Sequence, residues 1–248
     1  MINKTFILNW NINGDDEEFS EYAYDRIGVV TYDLNKIFNK TGIKFISKIE
    51  FFNKYKGYKI SDTTNCKQNE KCISFYNLLI NLRGIDWKKK GSFQIIVCDF
   101  KNEDLNGFAF FPWDFMLHGA IAFSKDVIHS DSMTIPHEIG HAFGLYHVFR
   151  GIDEVQYLNN VCDNCYEKEP NNYSGDFCDD TDPIPIYWEC DEPDIKQNPD
   201  KCFLERKKWN TKSLNNIMGY TSCREEFTEQ QLKRMKCWQE QFKNKYFK

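Results

Sequence analysis

His137-Glu138-Ile139-Gly140-His141-Ala142-Phe143-Gly144-Leu145-Tyr146-His147 gathers three of the chain's five histidines into one short run. On a helix His137 and His141 stand one turn apart and face the same way, so two imidazole nitrogens can bind one tetrahedral zinc ion. Pro136 suits a first helical turn, where its missing N–H is not needed. Gly144 is placed to take the left-handed conformation that ends the helix, which lets the chain bring His147 back as third ligand. Three protein ligands leave the fourth position to water, the arrangement of a catalytic site. Glu138 follows the first ligand directly and lies beside the metal without being a ligand. A carboxylate there takes the proton of a zinc-polarised water as it attacks a carbonyl, then passes it to the leaving amine.

A second constellation is the acidic run Asp176, Asp179, Asp180 and Asp182, with Thr181 among them. Carboxylates this dense repel one another unless a hard cation such as Ca2+ sits among them, and the alternative is a solvated loop. Most of the ten cysteines lie in 66–72 and 162–223, stretches rich in Asn, Asp, Gly and Pro. There cross-links replace a core, and the reading is an oxidising, extracellular compartment. Cys66 and Cys72 can close a small loop. Cys162-Asp-Asn-Cys165 also reads as half of a structural zinc site, though no second pair at matching spacing follows. Cys98, in an apolar strand, reads as a buried free thiol.

The elements that must carry these residues follow from periodicity. Lys4 to Ile12 reads as a strand; Phe19, Tyr22, Ala23, Ile27, Val30, Leu34, Ile37 and Phe38 then recur at helical spacing. That long helix is opened by Asp15 and Asp16 and closed by Gly42. Ile43 to Phe52 is a second strand, Ser74 to Leu82 a second helix, and Ser92 to Phe100 a third strand. Such alternation implies an α/β (α+β) fold with a mostly parallel sheet, followed by extended pieces at Gly107 to Phe111 and Ala120 to Phe123. The zinc helix runs from Pro136 to about Phe143. The long stretch after it has little periodicity, until Thr228-Glu-Gln-Gln231 resembles a capping box for a helix with Leu232, Met235, Trp238, Phe242 and Tyr246 on one face.

The extended histidine motif resembles that of the metzincin metallopeptidases, and Asn216-Ile217-Met218-Gly219-Tyr220 is similar to their methionine turn. The nearer resemblance is to the pappalysin family, in Gly107-Phe-Ala-Phe-Phe-Pro112, in Asp176-Phe-Cys-Asp-Asp-Thr181, and in Cys223-Arg-Glu-Glu-Phe-Thr228 running on to Gln231 and Arg234-Met235. It spans about Ser92 to Trp238. The resemblance implies one catalytic domain over 1–248. Its upper subdomain, 1–147, holds a twisted mixed sheet, two long helices and the zinc helix. Its lower subdomain, 148–248, is irregular and disulfide-linked, with the methionine turn and the C-terminal helix. It also implies that His137, His141 and His147 hold Zn2+, that Glu138 is the general base, that Met218 floors the metal, and that Tyr220 approaches the metal or steadies the oxyanion. It places Ca2+ near Asp176 to Asp182, pairs Cys178 with Cys223, and pairs Cys190 with Cys162 or Cys165. In its arginine-cleaving members an acidic residue before the cysteine that follows the methionine turn selects the residue after the cut. Here Ser222 stands in that place, so uncharged side chains are expected there unless Glu225 or Glu226 reaches the pocket.

The expected partners are therefore protein or peptide substrates of a secreted, monomeric zinc endopeptidase. The start of the chain lacks the apolar run of a signal peptide, so a mature domain without its export signal or propeptide is expected. Net charge of −5 with scattered Lys and Arg argues against nucleic acid. The longest apolar stretch, 107–123, is interrupted by Asp114 and His118, short of the roughly 18 residues a membrane span needs. Two rival readings are a catalytically silent zinc-binding module and a metzincin of another family. Retention of Glu138 with all three histidines argues against the first, and the Asp-Thr and Cys-to-Phe-Thr segments against the second.

Overall fold

The computed structural model describes residues 4–14, 17–52, 58–61, 72–74, 77–78, 92–100, 105–114, 119–129, 133–150, 170, 173–200 and 204–245. Contacts divide the chain into two compact units, Met1–Phe143 with Trp238–Lys248, and Gly144–Cys237.

The first unit is built on a sheet. Strand β1 (Lys4–Asn13) leads into helix α1 (Glu17–Ile37), and a short 3-10 turn ends at Gly42, where β2 (Ile43–Phe52) begins. Short strands β3 (Lys59–Ser61) and β4 (Cys72–Ser74) pair in parallel as a separate ribbon. Then come β5 (Ser92–Cys98), β6 (Gly107–Ala109), β7 (Ile121–Ser124), helix α2 (Lys125–His129) and helix α3 (Thr134–Ala142). The main sheet runs β2-β1-β5-β7-β6, parallel except for the β6–β7 pair. It is thus a mixed sheet, and β5, buried at every position, is its central strand. Side chains seal it as well as ladders: Trp10 Nε1 donates to Ser47 Oγ at 3.0 Å, and Asn11 Nδ2 to the Ile95 carbonyl at 3.1 Å.

Ser74 ends strand β4, and its Oγ accepts the Asn77 N–H at 3.2 Å, the bond of a helix N-cap; residues 77–78 are helical, and the rest of 74–82 lies outside the described residues. Five-residue α2 escaped the periodicity analysis because it is too short to show a period. The proposed opening of α1 by Asp15 and Asp16 lies outside the described residues.

Among its described residues the second unit has almost no regular structure before α4 (Glu229–Lys245), whose first turns belong to it. Trp209, Phe149, Ile217 and Met218 are buried there, and polar bonds fix the loops around them. Trp209 Nε1 donates to the Asn198 carbonyl at 3.0 Å, and Ser213 Oγ both accepts from the Asp182 N–H and donates to the Asp182 carbonyl. Arg206 pairs with buried Asp200 at 2.9 Å. A disulfide joins Cys190 to Cys223. This corrects both implied pairings: Cys178, buried beside Asp176, does not bridge Cys223, and Cys190 takes neither Cys162 nor Cys165. Spacing carries no connectivity, because a bridge depends on which loops fold side by side. Cys72 is disulfide-bonded; Cys66, Cys162 and Cys165 lie outside the described residues. Cys98 is free and buried, as read, and burial holds its thiol well above the usual range.

Candidate active site

Helix α3 is buried along its whole length, so its histidines meet each other before they meet water. His137 Nε2 and His141 Nε2 stand 3.2 Å apart, with rings 4.8 Å apart and nearly perpendicular. Two nitrogens bound to one tetrahedral zinc at ~2.0–2.1 Å are ~3.4 Å apart, so this spacing fits the ion. Phe143 caps the helix, its N–H reaching the Ile139 and Gly140 carbonyls. Gly144 follows with φ of 85°, where a side chain would be strained. The chain thereby turns, and one nitrogen each of His137, His141 and His147 lie within 4.8 Å of one another. Gly119, ahead of β7, has φ of 79°, and a Cβ there would stand 3.2 Å from the Ala142 carbonyl. Its bareness lets the sheet approach the zinc helix closely.

Glu138 is 6% exposed, a carboxylate kept from bulk water one residue from a ligand. His141 has the edge-to-face company of Phe111 at 5.5 Å, and Phe111 stacks on Trp113 at 4.6 Å. The sequence offered Phe111 as part of an extended piece and of the pappalysin-like segment Gly107 to Pro112, and nothing local marks it as a wall for the ligand.

In the second unit His147 stacks on Phe149 at 4.4 Å and takes the edge of Tyr220 at 5.0 Å. The methionine turn is held from three sides. Val148 N–H donates to the Met218 carbonyl at 3.2 Å, Asn216 Oδ1 accepts the Met218 N–H at 2.9 Å, and the Asn216 and Gln231 amides exchange two hydrogen bonds. Met218 itself is fully buried. The Asn216–Gln231 pair was missed from the sequence; its signal was an asparagine two before Met218 and a glutamine at the third position after a threonine cap. Arg234, part of the pappalysin-like segment, donates from Nε to the Gly144 carbonyl at 2.8 Å.

The acidic run separates by task. Asp176, 1% exposed, accepts from Thr181 Oγ1 and from the Cys178 N–H. Burial pushes its carboxyl up to about 7, against those hydrogen bonds and the Arg234 charge. Asp180 is exposed and accepts from Thr228 Oγ1 and the Gln230 N–H, while the Asp179 N–H donates to Gln230 Oε1. Buried Asp182 is likewise raised by desolvation, partly countered by Lys212 and Arg206. Ser222 is exposed, its hydroxyl 3.3 Å from Cys190 Sγ. Glu225 and Glu226 are exposed, and Glu226 Oε1 accepts from Asn215 Nδ2 at 3.0 Å.

Residues 106–240 match the family model Peptidase_M43, described as pregnancy-associated plasma protein-A. The chain is 38% identical to pappalysin-1 of Mus musculus over 151 residues, 58% of this chain and 9% of that protein. It is 39% identical to pappalysin-1 of Homo sapiens over 143 residues, 55% of this chain and 8% of that one. The match therefore spans less than a tenth of the length of these curated relatives. Mirolysin, solved in complex with a compound, shares the fold over 99% of both chains with a TM-score of 0.53 at 15% identity. With the family model covering more than half of the chain and the histidine cluster inside its span, the chain belongs to the pappalysin family of zinc metallopeptidases.

Proposed function

We propose that the chain is a secreted endopeptidase that hydrolyses peptide bonds with Glu138 as general base. The observation that carries this reading is the set of three imidazole nitrogens within 4.8 Å, on a buried helix that also bears Glu138. His137, His141 and His147 would hold zinc, which would supply a polarised water and a Lewis acid for the scissile carbonyl. Glu138 takes the proton of that water as its oxygen attacks, holds it in a site of low water content, and delivers it to the nitrogen of the breaking bond. Tyr220, braced between His147 and Trp188, turns its hydroxyl to the oxyanion. Ser222 offers no charge to the side chain that follows the cut, so the preference there is for uncharged residues, and Ser222→Asp raises cleavage before arginine. The Cys190–Cys223 bridge supports an oxidising compartment. The catalytic domain spans 1–248, with subdomains 1–147 and 148–248, and works as a monomer on protein or peptide substrates.

Glu138→Ala tests the mechanism. It should keep the fold and bound zinc, since the carboxylate is not a ligand, and lose on the order of 10²-fold or more in turnover. Near wild-type cleavage in a variant that still holds zinc would sink the assignment. A wild-type chain that binds zinc and cuts nothing would favour the silent module.

A calcium site at Asp176, Asp179, Asp180, Thr181 and Asp182 is the second proposal, and one observation favours it. Asp176 is 1% exposed and burial pushes its carboxyl up to about 7, so its charged form lacks the solvation that a bound cation would replace. Melting curves with and without millimolar calcium decide it: a shift upward supports the site, and coincident curves leave Asp180 with its helix-capping role alone.

A further inference from the structure

Trp188 is 62% exposed beside the aromatic cluster of the second unit. It is nevertheless held in place. One face of the indole stacks on Tyr220 at 5.0 Å and 23°. Its carbonyl accepts the Ser222 N–H at 3.0 Å, and two residues later Cys190 is bonded to Cys223. The segment 188–190 is thus locked along 222–223, and the indole's second face is left open. A loosely held surface tryptophan would need none of these ties.

The row of rings begins at a zinc ligand. His147 meets the edge of Tyr220 at 5.0 Å, and Tyr220 meets Trp188 at the same spacing. An extended peptide advances ~3.4 Å per residue, so two ring spacings correspond to a side chain within about three residues of the cut. Beside the indole stand the disulfide and the Ser222 hydroxyl, which contacts Cys190 Sγ. The charges nearby in sequence are the exposed Glu189 and Asp191, the latter accepting from the Tyr187 hydroxyl at 2.7 Å, so the apolar surface on offer is the indole face itself.

We infer that Trp188 is a specificity-determining residue: its open face is a platform for one uncharged aromatic or branched aliphatic side chain of the substrate, within three residues of the scissile bond. This rests on the peptidase reading. Aromatic stacking and apolar contact supply the selectivity, and the pre-set ring orientation spares the cost of ordering it on binding.

The test compares peptides that differ only in having Phe, Leu, Arg or Ala at each position within three residues of the cut. They are digested by the wild-type chain, Trp188→Ala and Trp188→Phe, with melting temperature and the intact bridge checked for each. Expected is one position at which the wild type prefers Phe or Leu over Ala by about tenfold in kcat/KM. Trp188→Ala should bring that ratio close to one, and Trp188→Phe should restore most of it. A ratio indifferent to Trp188 in an active, stable enzyme overturns the inference. So does a preference for Arg at that position that Trp188→Ala abolishes and salt weakens. A wild-type chain that cleaves no peptide overturns the peptidase reading and this inference with it, whereas an active but Trp188-indifferent enzyme overturns this inference alone.

Discussion

The unit that carries the zinc helix and the unit that carries the methionine turn are stabilised by different means. The first is organised by period: strands of alternating or continuous apolar residues, and a helix whose buried face returns every third or fourth position. Its stability is spread over many equivalent contacts, most of them carbon on carbon. In the second, few described side chains do much more each: the Cys190–Cys223 bridge, the Asn216–Gln231 amide pair, buried carboxylates such as Asp176, and a stack of cations on rings. Arg150 lies 3.7 Å over the Tyr146 ring, with Arg234 5.4 Å from the same ring. Even the backbone shows it, for Phe177 sits at φ of 63°, a conformation that costs a bulky residue roughly 1 kcal/mol or more and must be held by its surroundings. Distributed packing tolerates substitution everywhere except at its densest point, while pinned loops fail wherever a pin is drawn.

That contrast is broken most directly at the densest point of the first unit. Phe143 is fully buried, with rings of Phe6 at 5.4 Å and Phe93 at 4.9 Å against it. Phe143→Ala should cost about 3–5 kcal/mol by urea unfolding, because a rigid aromatic cluster collapses poorly into the cavity. A loss below about 1 kcal/mol would mean that the cluster repacks and that the first unit is not the tightly ordered partner.

The same contrast decides what was legible in the sequence. The boundaries of β2 and the course of β1 and α1 were readable because hydrophobic burial acts at a fixed period, and the period is written locally. The three histidines and Gly144 were readable because metal geometry and helix ending each demand particular residue types at particular spacing. What could not be read depends on who meets whom across long sequence separations. Cys178 was expected to bridge Cys223, yet Cys190 does, and nothing within either loop distinguishes the two sulfurs. Asn216 and Gln231 are ordinary polar residues until the fold apposes their amides. Phe111 became a wall for His141 only through the turn that follows β6.

Drawing the strongest pin tests the second unit. Replacing Cys190 and Cys223 together by alanine opens a loop of sequence separation 33. The chain-entropy estimate for such a loop is about 3–4 kcal/mol. The loss should appear as early proteolysis within 144–237 while fragments of the first unit persist. Uniform digestion of both units would show that the bridge stabilises the whole chain and not its own loops.

Asp176 sharpens the comparison through pH. Its carboxyl is raised from 3.8 to about 7 by burial, so the folded chain holds a proton that the unfolded chain has lost across that interval. Stability from this group is therefore greatest below pH about 4, falls as pH rises through that window, and stays low above about 7. Asp176→Asn keeps an acceptor for the Cys178 N–H and removes the charge. In chelator it should flatten the pH profile and raise stability at pH 8, on the order of 1–3 kcal/mol. A variant less stable than wild type at pH 8 in the presence of calcium, and only then, would instead place a cation on this carboxylate.

The smallest expected effect lies where the two kinds of order meet in one element, the start of α4. Thr228 Oγ1 accepts the Gln231 N–H at 3.3 Å, and Gln231 Oε1 accepts the Thr228 N–H at 2.9 Å, the reciprocal pair that the sequence pattern announced. The structure adds two things to that local motif. Thr228 Oγ1 also donates to Asp180 at 2.7 Å, and Gln231 also holds Asn216 beneath the methionine turn. A cap that served its helix alone would cost about 1 kcal/mol on Thr228→Ala and leave catalysis untouched. Gln231→Ala removes the same cap from the other side, but it also leaves the buried Asn216 amide with fewer partners, and a buried unsatisfied amide costs a further ~1–3 kcal/mol. The two variants should therefore differ in stability by at least the cost of the cap itself. Only Gln231→Ala should lower turnover, because only it loosens the bond from Asn216 Oδ1 to the Met218 N–H. Equal losses in both variants, with turnover unchanged in each, would show that the glutamine is a helix cap and nothing more.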